Sequence, residues 1–205
     1  MLRVLRSHLH AHVVTFDYSG FGDSPGSPSE STLSSDARHM FAWLNERLHP
    51  SSTLIIYGQS LGTFAAVDLA SNLSTLRPTS KCLLILDAPP ASLIEATMSH
   101  PVALPFRVVP NMRAFLRFCL NDTLDNTVKI ANVRIPTLIL HGKNDRFITV
   151  DQGRCLYRCA KTAGVDVRLV EFDNCGHNNV NAAPDYLPEV HQFLQRHRQR
   201  DIISF

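Results

Sequence analysis

Residues 53–62, TLIIYGQSLG, give the clearest indication of the fold, and the alanine-rich segment 63–73 follows them directly. Residues 53–57 are β-branched or apolar and predict a buried strand, whereas the composition of 63–73 predicts a helix. Between them stands G-x-S-x-G, which is typical of a sharp strand-to-helix turn that exposes a serine, here Ser60. Gly58 and Gly62 suit this turn, because the backbone is strained there and the helix packs close to the strand.

The turn has two interpretations. Its serine can act as a nucleophile, with the backbone N–H of Leu61, at a helix N-terminus, donating to a developing oxyanion. In that case Gly58, Gln59 and Gly62 form the elbow around it. Alternatively, the turn is a glycine-rich connection with a solvent-facing serine. A carboxylate and a histidine later in the chain, in the order nucleophile, acid, base, favour the first interpretation.

The candidate acid is Asp145. It follows the apolar strand candidate Pro136–His141 in a short turn, which brings it to the same sheet edge as Ser60. There it would hold an imidazole in the useful tautomer and stabilise its charged form. The alternative is a turn aspartate that caps the next helix, although Asp151 is better placed for capping.

The candidate base is His177, in the sequence NCGHNN at 174–179. Histidine has the near-neutral pKa that a general base needs. Among the ten histidines, His177 alone combines a loop after a strand, an adjacent glycine and the correct chain order. His141 is its nearest rival, but it belongs to the strand that leads to Asp145 and is expected to pack there.

The rest of the chain alternates short apolar runs with segments of helical period, which predicts an α/β fold with a mostly parallel sheet covered by helices. The strand candidates are His12–Tyr18, Thr53–Tyr57, Lys81–Asp87, Pro136–His141 and Val165–Phe172. Helices are predicted over 33–48, with Ser31 as a cap, over 152–163, ending at Gly164, and over 187–194.

Residues 88–133 interrupt this alternation. The segment contains five prolines together with aromatic and aliphatic residues, and it is too long and too apolar for a plain connection. In its position between a strand and the next βα unit, it is expected to form a lid-like insertion that lines an acyl pocket and can contact a membrane surface. The alternative is that its aromatic residues only close the core.

Composition excludes several classes of function. With 205 residues, 44% of them hydrophobic, and a net charge of +2, the chain predicts one globular domain with no basic stripe for nucleic acid. The five cysteines are odd in number and scattered, which argues against a disulfide framework. No metal site is predicted, and His8, His10 and His12 are expected at the surface. We find neither a signal-peptide core nor a run of about 20 apolar residues.

Taken together, the motifs resemble a known family. DYSGFGDS at 17–24, the Ser60 turn, LDAP at 86–89 and the surroundings of Asp145 and His177 are similar to those of the alpha/beta-hydrolase domain-containing protein 12 family of lysophosphatidylserine and monoacylglycerol lipases. The resemblance implies an α/β-hydrolase fold, Ser60 as nucleophile, Asp145 as acid and His177 as base. It also implies a single-chain acyl substrate with a polar head, no cofactor, and association with the endoplasmic reticulum membrane.

The chain departs from that family at its start and beside the serine. Gln59 stands where relatives usually have histidine, and Ser19 where they often have arginine. The family's first three strands and the loop after the third, which supplies a second oxyanion donor, are absent, so residues 1–205 are expected to be part of a domain. Loss of one donor typically lowers turnover by roughly 10²–10³-fold. A catalytically impaired fragment is therefore one alternative. A thioesterase or peptidase on the same fold is another, because nothing in the residues excludes it.

Overall fold

A four-stranded parallel sheet lies at the centre of the computed structural model, which describes residues 2–106, 108–120 and 124–199. Its strands lie side by side in chain order: β1 (Thr53–Gln59), β2 (Lys81–Asp87), β3 (Thr137–Gly142) and β4 (Val167–Phe172). The predicted α/β class with a parallel sheet is confirmed, and four of the five strand candidates agree with it to within two residues. Because all strands are parallel, their carboxyl ends meet at one edge.

Helices cover both faces of this sheet. Leu84 and Leu86 of β2 point into one core, whereas Leu83 and Ile85 point into the other, as alternate residues of a strand do. The helices are α1 (Leu2–Leu9), α2 (Glu30–Asn45), α3 (Gly62–Ser71), α4 (Leu73–Leu76), α5 (Leu93–Ser99), α6 (Met112–Leu120), α7 (Asn126–Ile130), α8 (Val150–Thr162) and α9 (Tyr186–Gln199). Residues of α2, α3, α7 and α8 fill the first core, and residues of α1 and α9 fill the second.

The predicted strand His12–Tyr18 is wrong. These residues form no strand, and most of their side chains are exposed or half-buried. Within the described part of the chain, β1 pairs only with β2 and stands at the edge of the sheet. No described strand lies between segment 12–18 and β1. The backbone groups of segment 12–18 therefore have no neighbouring strand with which to pair.

The N-cap of helix α2 lies two residues before the predicted cap. Ser29, not Ser31, is the N-cap: its hydroxyl accepts the N–H of Thr32, and the Thr32 hydroxyl accepts the N–H of Ser29 in return. This reciprocal arrangement satisfies two N–H groups at the helix start. At the end of α8, Gly164 has a φ of +79°, as the predicted helix stop requires.

The segment 88–133 is closed at its base. Ser92 and Asp125 form an antiparallel bridge, and the buried amide of Asn126 donates to the carbonyl of Pro90 at 2.9 Å. Between these anchors lie α5, a short 3-10 helix (Pro101–Phe106) and α6. After β2 the chain therefore leaves the sheet, forms these three helices and returns to the same place before β3.

Candidate active site

Ser60 lies in the turn between β1 and α3 with a φ of +49°, in the left-handed region that costs a non-glycine residue energy. Its N–H donates to the carbonyl of Asp87 at 2.9 Å, which ties the turn to the end of β2. A Cβ on Gly58 would lie 2.7 Å from the carbonyl oxygen of Gly62 and 2.8 Å from the Cβ of Ala66. Glycine at position 58 therefore lets α3 approach β1.

The same requirement does not hold for Gly62. A Cβ built there meets no atom within 4 Å, and its φ lies outside the left-handed region. Gly62 is the first residue of α3, where the chain already runs away from the strand. The prediction that both glycines serve close packing is thus right for Gly58 and wrong for Gly62.

Asp145 lies in the turn after β3 with its side chain fully buried. One carboxylate oxygen accepts the N–H groups of Phe147 and Ile148, both at 2.9 Å. Burial alone would raise the pKa of this carboxyl, but hydrogen bonds from His141, His177 and the Ile148 N–H outweigh it and hold the pKa well below its usual range. Asp145 is therefore a carboxylate at neutral pH.

His177 lies between Asp145 and Ser60. Its Nδ1 is 2.7 Å from the Asp145 Oδ2, and its Nε2 is 2.9 Å from the Ser60 Oγ. The hydrogen bond to Asp145 raises the pKa of His177 above its ordinary value, although partial burial opposes the rise. The structure thus brings together three side chains that the sequence separates by as many as 117 positions.

A close backbone contact holds the loop that carries His177. A Cβ on Gly142, the last residue of β3, would collide with the carbonyl of Cys175. That carbonyl accepts the N–H of Asn144 at 2.8 Å, and the side chain of Asn179 accepts the N–H of Gly176 at 2.7 Å. The loops that follow β3 and β4 are therefore joined directly, which fixes Asp145 and His177 relative to each other.

Leu61 and His141 occupy the places expected of them. Leu61 is the N-cap residue of α3, so its N–H lies at the helix N-terminus, beside Ser60. His141 is fully buried, its Nε2 lies 2.9 Å from the Ile148 carbonyl, and a Cβ on Gly153 of α8 would lie 2.6 Å from its Nδ1. It packs in the sheet, as predicted, and supports the turn of Asp145.

Ser60 and His177 open onto a cavity of about 830 Å³. Most of its other walls come from the segment 88–133, together with Phe147, Ile148 and Asn178. The side chains from that segment are mainly apolar: Ala96, Thr97, Met98, His100, Val102, Ala103, Phe106, Met112, Phe115 and Leu116. Such a cavity can hold a long apolar group with one end at the serine hydroxyl.

Sequence reasoning missed two features of this site. The Phe147 ring packs between the rings of His177, 5.7 Å away, and His100, 5.4 Å away. Asp87 is fully buried at the end of β2, where its carboxylate accepts the Tyr57 hydroxyl at 2.7 Å. Asp87 could have been found from the sequence, because it is a charged residue directly after six residues of a predicted buried strand. For Phe147, two positions after Asp145, no such signal exists.

Residues 2–106, 108–120 and 124–199 contain neither a metal-ligand cluster nor a membrane-spanning helix. In that part of the chain no three histidine, cysteine, aspartate or glutamate side chains cluster as metal ligands. None of its helices has both the length and the apolar character needed to cross a bilayer.

Four of the five cysteines can be described, and all four are free thiols. Cys82 and Cys175 are buried, and Cys155 and Cys159 are half-buried, whereas the Cys119 side chain lies outside the described residues.

Comparison with known sequences gives one family. The family model described as alpha/beta hydrolase fold matches residues 1–117. Lysophosphatidylserine lipase ABHD12 of Danio rerio is 38% identical over 178 residues, which cover 82% of this chain and 45% of that protein. The protein of the same name from Macaca fascicularis is 38% identical over 202 residues, covering 92% of this chain and 48% of that protein. The chain spans about half the length of the curated relatives it matches.

Solved structures of other alpha/beta hydrolases and esterases have the same architecture as this chain. An alpha-beta hydrolase from Vibrio vulnificus superimposes with a TM-score of 0.70 at 26% identity, covering 86% of this chain and 61% of its own. The Pyrococcus furiosus esterase Pf2001 superimposes with a TM-score of 0.65 at 20% identity, covering 88% of this chain and 67% of its own, a likeness of fold alone. By its sequence match and by its sheet, this chain belongs to the alpha/beta hydrolase fold family.

Proposed function

We propose that the chain is a serine hydrolase that cleaves fatty-acyl esters such as monoacylglycerols or lysophospholipids, lysophosphatidylserine among them. One observation carries the proposal: the His177 imidazole lies within hydrogen-bond distance of both the Asp145 carboxylate and the Ser60 hydroxyl. A serine, a histidine and a buried carboxylate in this geometry are the parts that nucleophilic acyl transfer requires.

In the proposed reaction, the Ser60 Oγ attacks the ester carbonyl while His177 Nε2 takes the hydroxyl proton. The oxygen of the tetrahedral intermediate gains negative charge, and the Leu61 N–H donates to it. His177 then returns the proton to the leaving alcohol as the C–O bond breaks and the acyl-serine ester remains. A water molecule, activated by the same imidazole, hydrolyses that ester and regenerates Ser60.

Asp145 acts through His177. Its carboxylate accepts the Nδ1 proton, which leaves Nε2 free of a proton and directed at Ser60. Its negative charge also stabilises the imidazolium that forms during attack. Because Asp145 stays ionised over the whole neutral range, it stabilises that charge without taking up the proton.

The cavity supports a lipid substrate. Its apolar walls, most of them from the segment 88–133, suit a single acyl chain whose ester carbonyl lies at Ser60. The relatives named lysophosphatidylserine lipase act, by that name, on a lipid with one acyl chain. Both points favour a fatty-acyl substrate over a peptide, and the name of the relatives favours an ester over a thioester.

Labelling with a fluorophosphonate probe tests the proposal. We expect the folded chain to label at Ser60, Ser60→Ala to lose the label, and Ser27→Ala, a change at an exposed serine, to keep it. Incubation with monoacylglycerol and with lysophosphatidylserine should then release free fatty acid only from chains that label. A cooperatively folded chain that neither labels nor releases fatty acid contradicts the proposed function.

We also propose that the segment 88–133 is a lid-like insertion in a single domain and that it contacts lipid surfaces. Large apolar side chains along it are exposed to solvent: Val102 (74%), Val108 (84%), Phe115 (59%) and Phe118 (87%). Phe115 also lines the cavity, so the apolar surface continues into it. An exposed apolar patch at the mouth of a site is typical of a surface that meets lipid.

Sedimentation with phosphatidylcholine vesicles tests this contact. Phe118→Asp and Val108→Asp should each reduce the bound fraction, because a charge at a lipid-inserting position opposes burial. Val14→Asp places the same charge at an exposed valine outside the segment and should leave binding unchanged. Equal binding by all three variants and the unaltered chain would rule the contact out.

A further inference from the structure

A second carboxylate lies at the same edge of the sheet as the proposed reacting residues. Asp87 ends β2, its side chain is fully buried, and its backbone carbonyl accepts the N–H of Ser60. In the sheet it pairs with Gln59 of β1 and with Leu140 of β3. Its neighbours on the two adjoining strands thus immediately precede Ser60 and His141.

The surroundings of Asp87 do not suit a purely structural role. One of its carboxylate oxygens accepts the Tyr57 hydroxyl, which lies 3.1 Å from the hydroxyl of Tyr186. The other oxygen is buried and has no hydrogen-bond partner within the described residues. Burying a carboxyl with an unpartnered oxygen costs stability, and an apolar side chain would fill the same space without that cost.

Five titratable groups of the described residues interact with Asp87: Tyr57 of β1, His141 of β3, Tyr186 of α9, Asp145 and His177. Burial raises the pKa of Asp87 to about 6, although the Tyr57 hydrogen bond and the charges of His141 and His177 oppose the rise. In turn, Asp87 adds to the effect of Asp145 in raising the pKa of His177. Because Asp87 is fully buried, water screens its charge little, and the charge acts on its neighbours through a low-dielectric interior.

Building on the proposed hydrolysis, we propose that Asp87 is a positioning residue whose buried carboxylate stabilises the protonated imidazole of His177 that forms when Ser60 attacks the ester. This stabilisation of the imidazolium is present at neutral pH and is lost when acidification protonates Asp87. Each group favours the charged form of the other, so loss of the Asp87 charge is expected to lower the pKa of His177. A residue that only fills space would not alter the titration of His177.

Titration of His177 tests this role directly. In protein labelled with ¹³C-histidine, we expect Asp87→Asn to move the His177 titration to lower pH, because one negative charge near the imidazole is gone. The acid limb of fluorophosphonate labelling against pH should move the same way, and the labelling rate at its plateau should fall. Asp185→Asn, the same change at an exposed position beside Tyr186, should leave both measurements unaltered.

Tyr57→Phe provides a second route that keeps the Asp87 carboxyl. Without the Tyr57 hydroxyl, Asp87 is harder to ionise, so the His177 titration should again move to lower pH. The two proposals fail in different ways. If the unaltered chain does not label at Ser60, the proposed hydrolysis is wrong, whatever the titrations give. If it labels while His177 titrates identically in Asp87→Asn, in Tyr57→Phe and in the unaltered chain, the role of Asp87 is wrong.

Discussion

The hydroxyl of Ser99, in the last turn of α5, lies 2.7 Å from the backbone carbonyl of Phe147 and donates to it. Phe147 in turn donates its N–H to Asp145. The wall of the cavity is therefore connected by two hydrogen bonds to the carboxylate that holds His177. Gln152 of α8 reinforces this connection, because its buried amide bonds the N–H of Ala91, the carbonyl of Glu95 and the hydroxyl of Ser99.

Gln152→Leu tests how much this connection contributes. The buried N–H of Ala91 would lose its acceptor, so we expect the free energy of unfolding to fall by about 1–3 kcal/mol in urea denaturation. Gln195→Leu, at an exposed position on α9, should change it by no more than about 0.5 kcal/mol. Equal stability of the two variants would mean that Gln152 does not anchor the segment 88–133.

Gly58→Ala and Gly62→Ala should differ sharply. At position 58 the new methyl group collides with the backbone of α3, so we expect a loss of about 1–3 kcal/mol in stability and a loss of probe labelling at Ser60. At position 62 the methyl group meets open space, and stability should stay level or rise by about 0.4–1 kcal/mol. Thermal melts and labelling of the two variants side by side give the answer, and similar behaviour would contradict it.

The sequence predicted most of the sheet because each strand carried a continuous apolar run, and it located the three candidate residues because parallel strands end at one edge. The prediction from sequence failed where the local structure depends on contacts with other residues of the folded chain. Segment 12–18 has the composition of a strand but no strand to pair with. Gly62 matches a motif, but space around a position is a property of the folded chain. The cap at Ser29 depended on Thr32, a hydroxyl residue where a glutamate is the usual signal.

Asp145→Asn should alter the pH dependence of hydrolysis. His177 must be neutral to accept the Ser60 proton, and its pKa is raised by the hydrogen bond to Asp145, so activity falls as the pH drops through that raised value. Without the carboxylate, the pKa of His177 falls and the acid limb of kcat/KM moves to lower pH. The maximal rate should drop by on the order of 10⁴-fold, because the tautomer is no longer fixed. An unchanged acid limb would exclude Asp145 as the partner of His177.

Ala96→Phe should shorten the acyl chain that the cavity accepts. Ala96 lines the cavity from α5, so a phenyl group there occupies space that a long chain needs. We expect kcat/KM to fall for long-chain monoacylglycerol and to stay level for an acetyl ester of p-nitrophenol. Ala114→Phe, the same change at an exposed position on α6, serves as the control. Equal loss on both esters would mean that the cavity does not receive the acyl chain.

The cavity wall and the reacting residues come from different parts of the chain, so the wall can be re-engineered separately. The side chains that enclose the cavity come mainly from one continuous excursion, whereas Ser60, Asp145 and His177 project from the ends of three sheet strands. A mutant library at apolar cavity-lining positions such as Ala96, Val102 and Met112 can therefore be screened for new chain-length selectivity without changing those three residues. Ser99 is the position to leave untouched, because its hydroxyl donates to the carbonyl of Phe147, whose N–H donates to the Asp145 carboxylate.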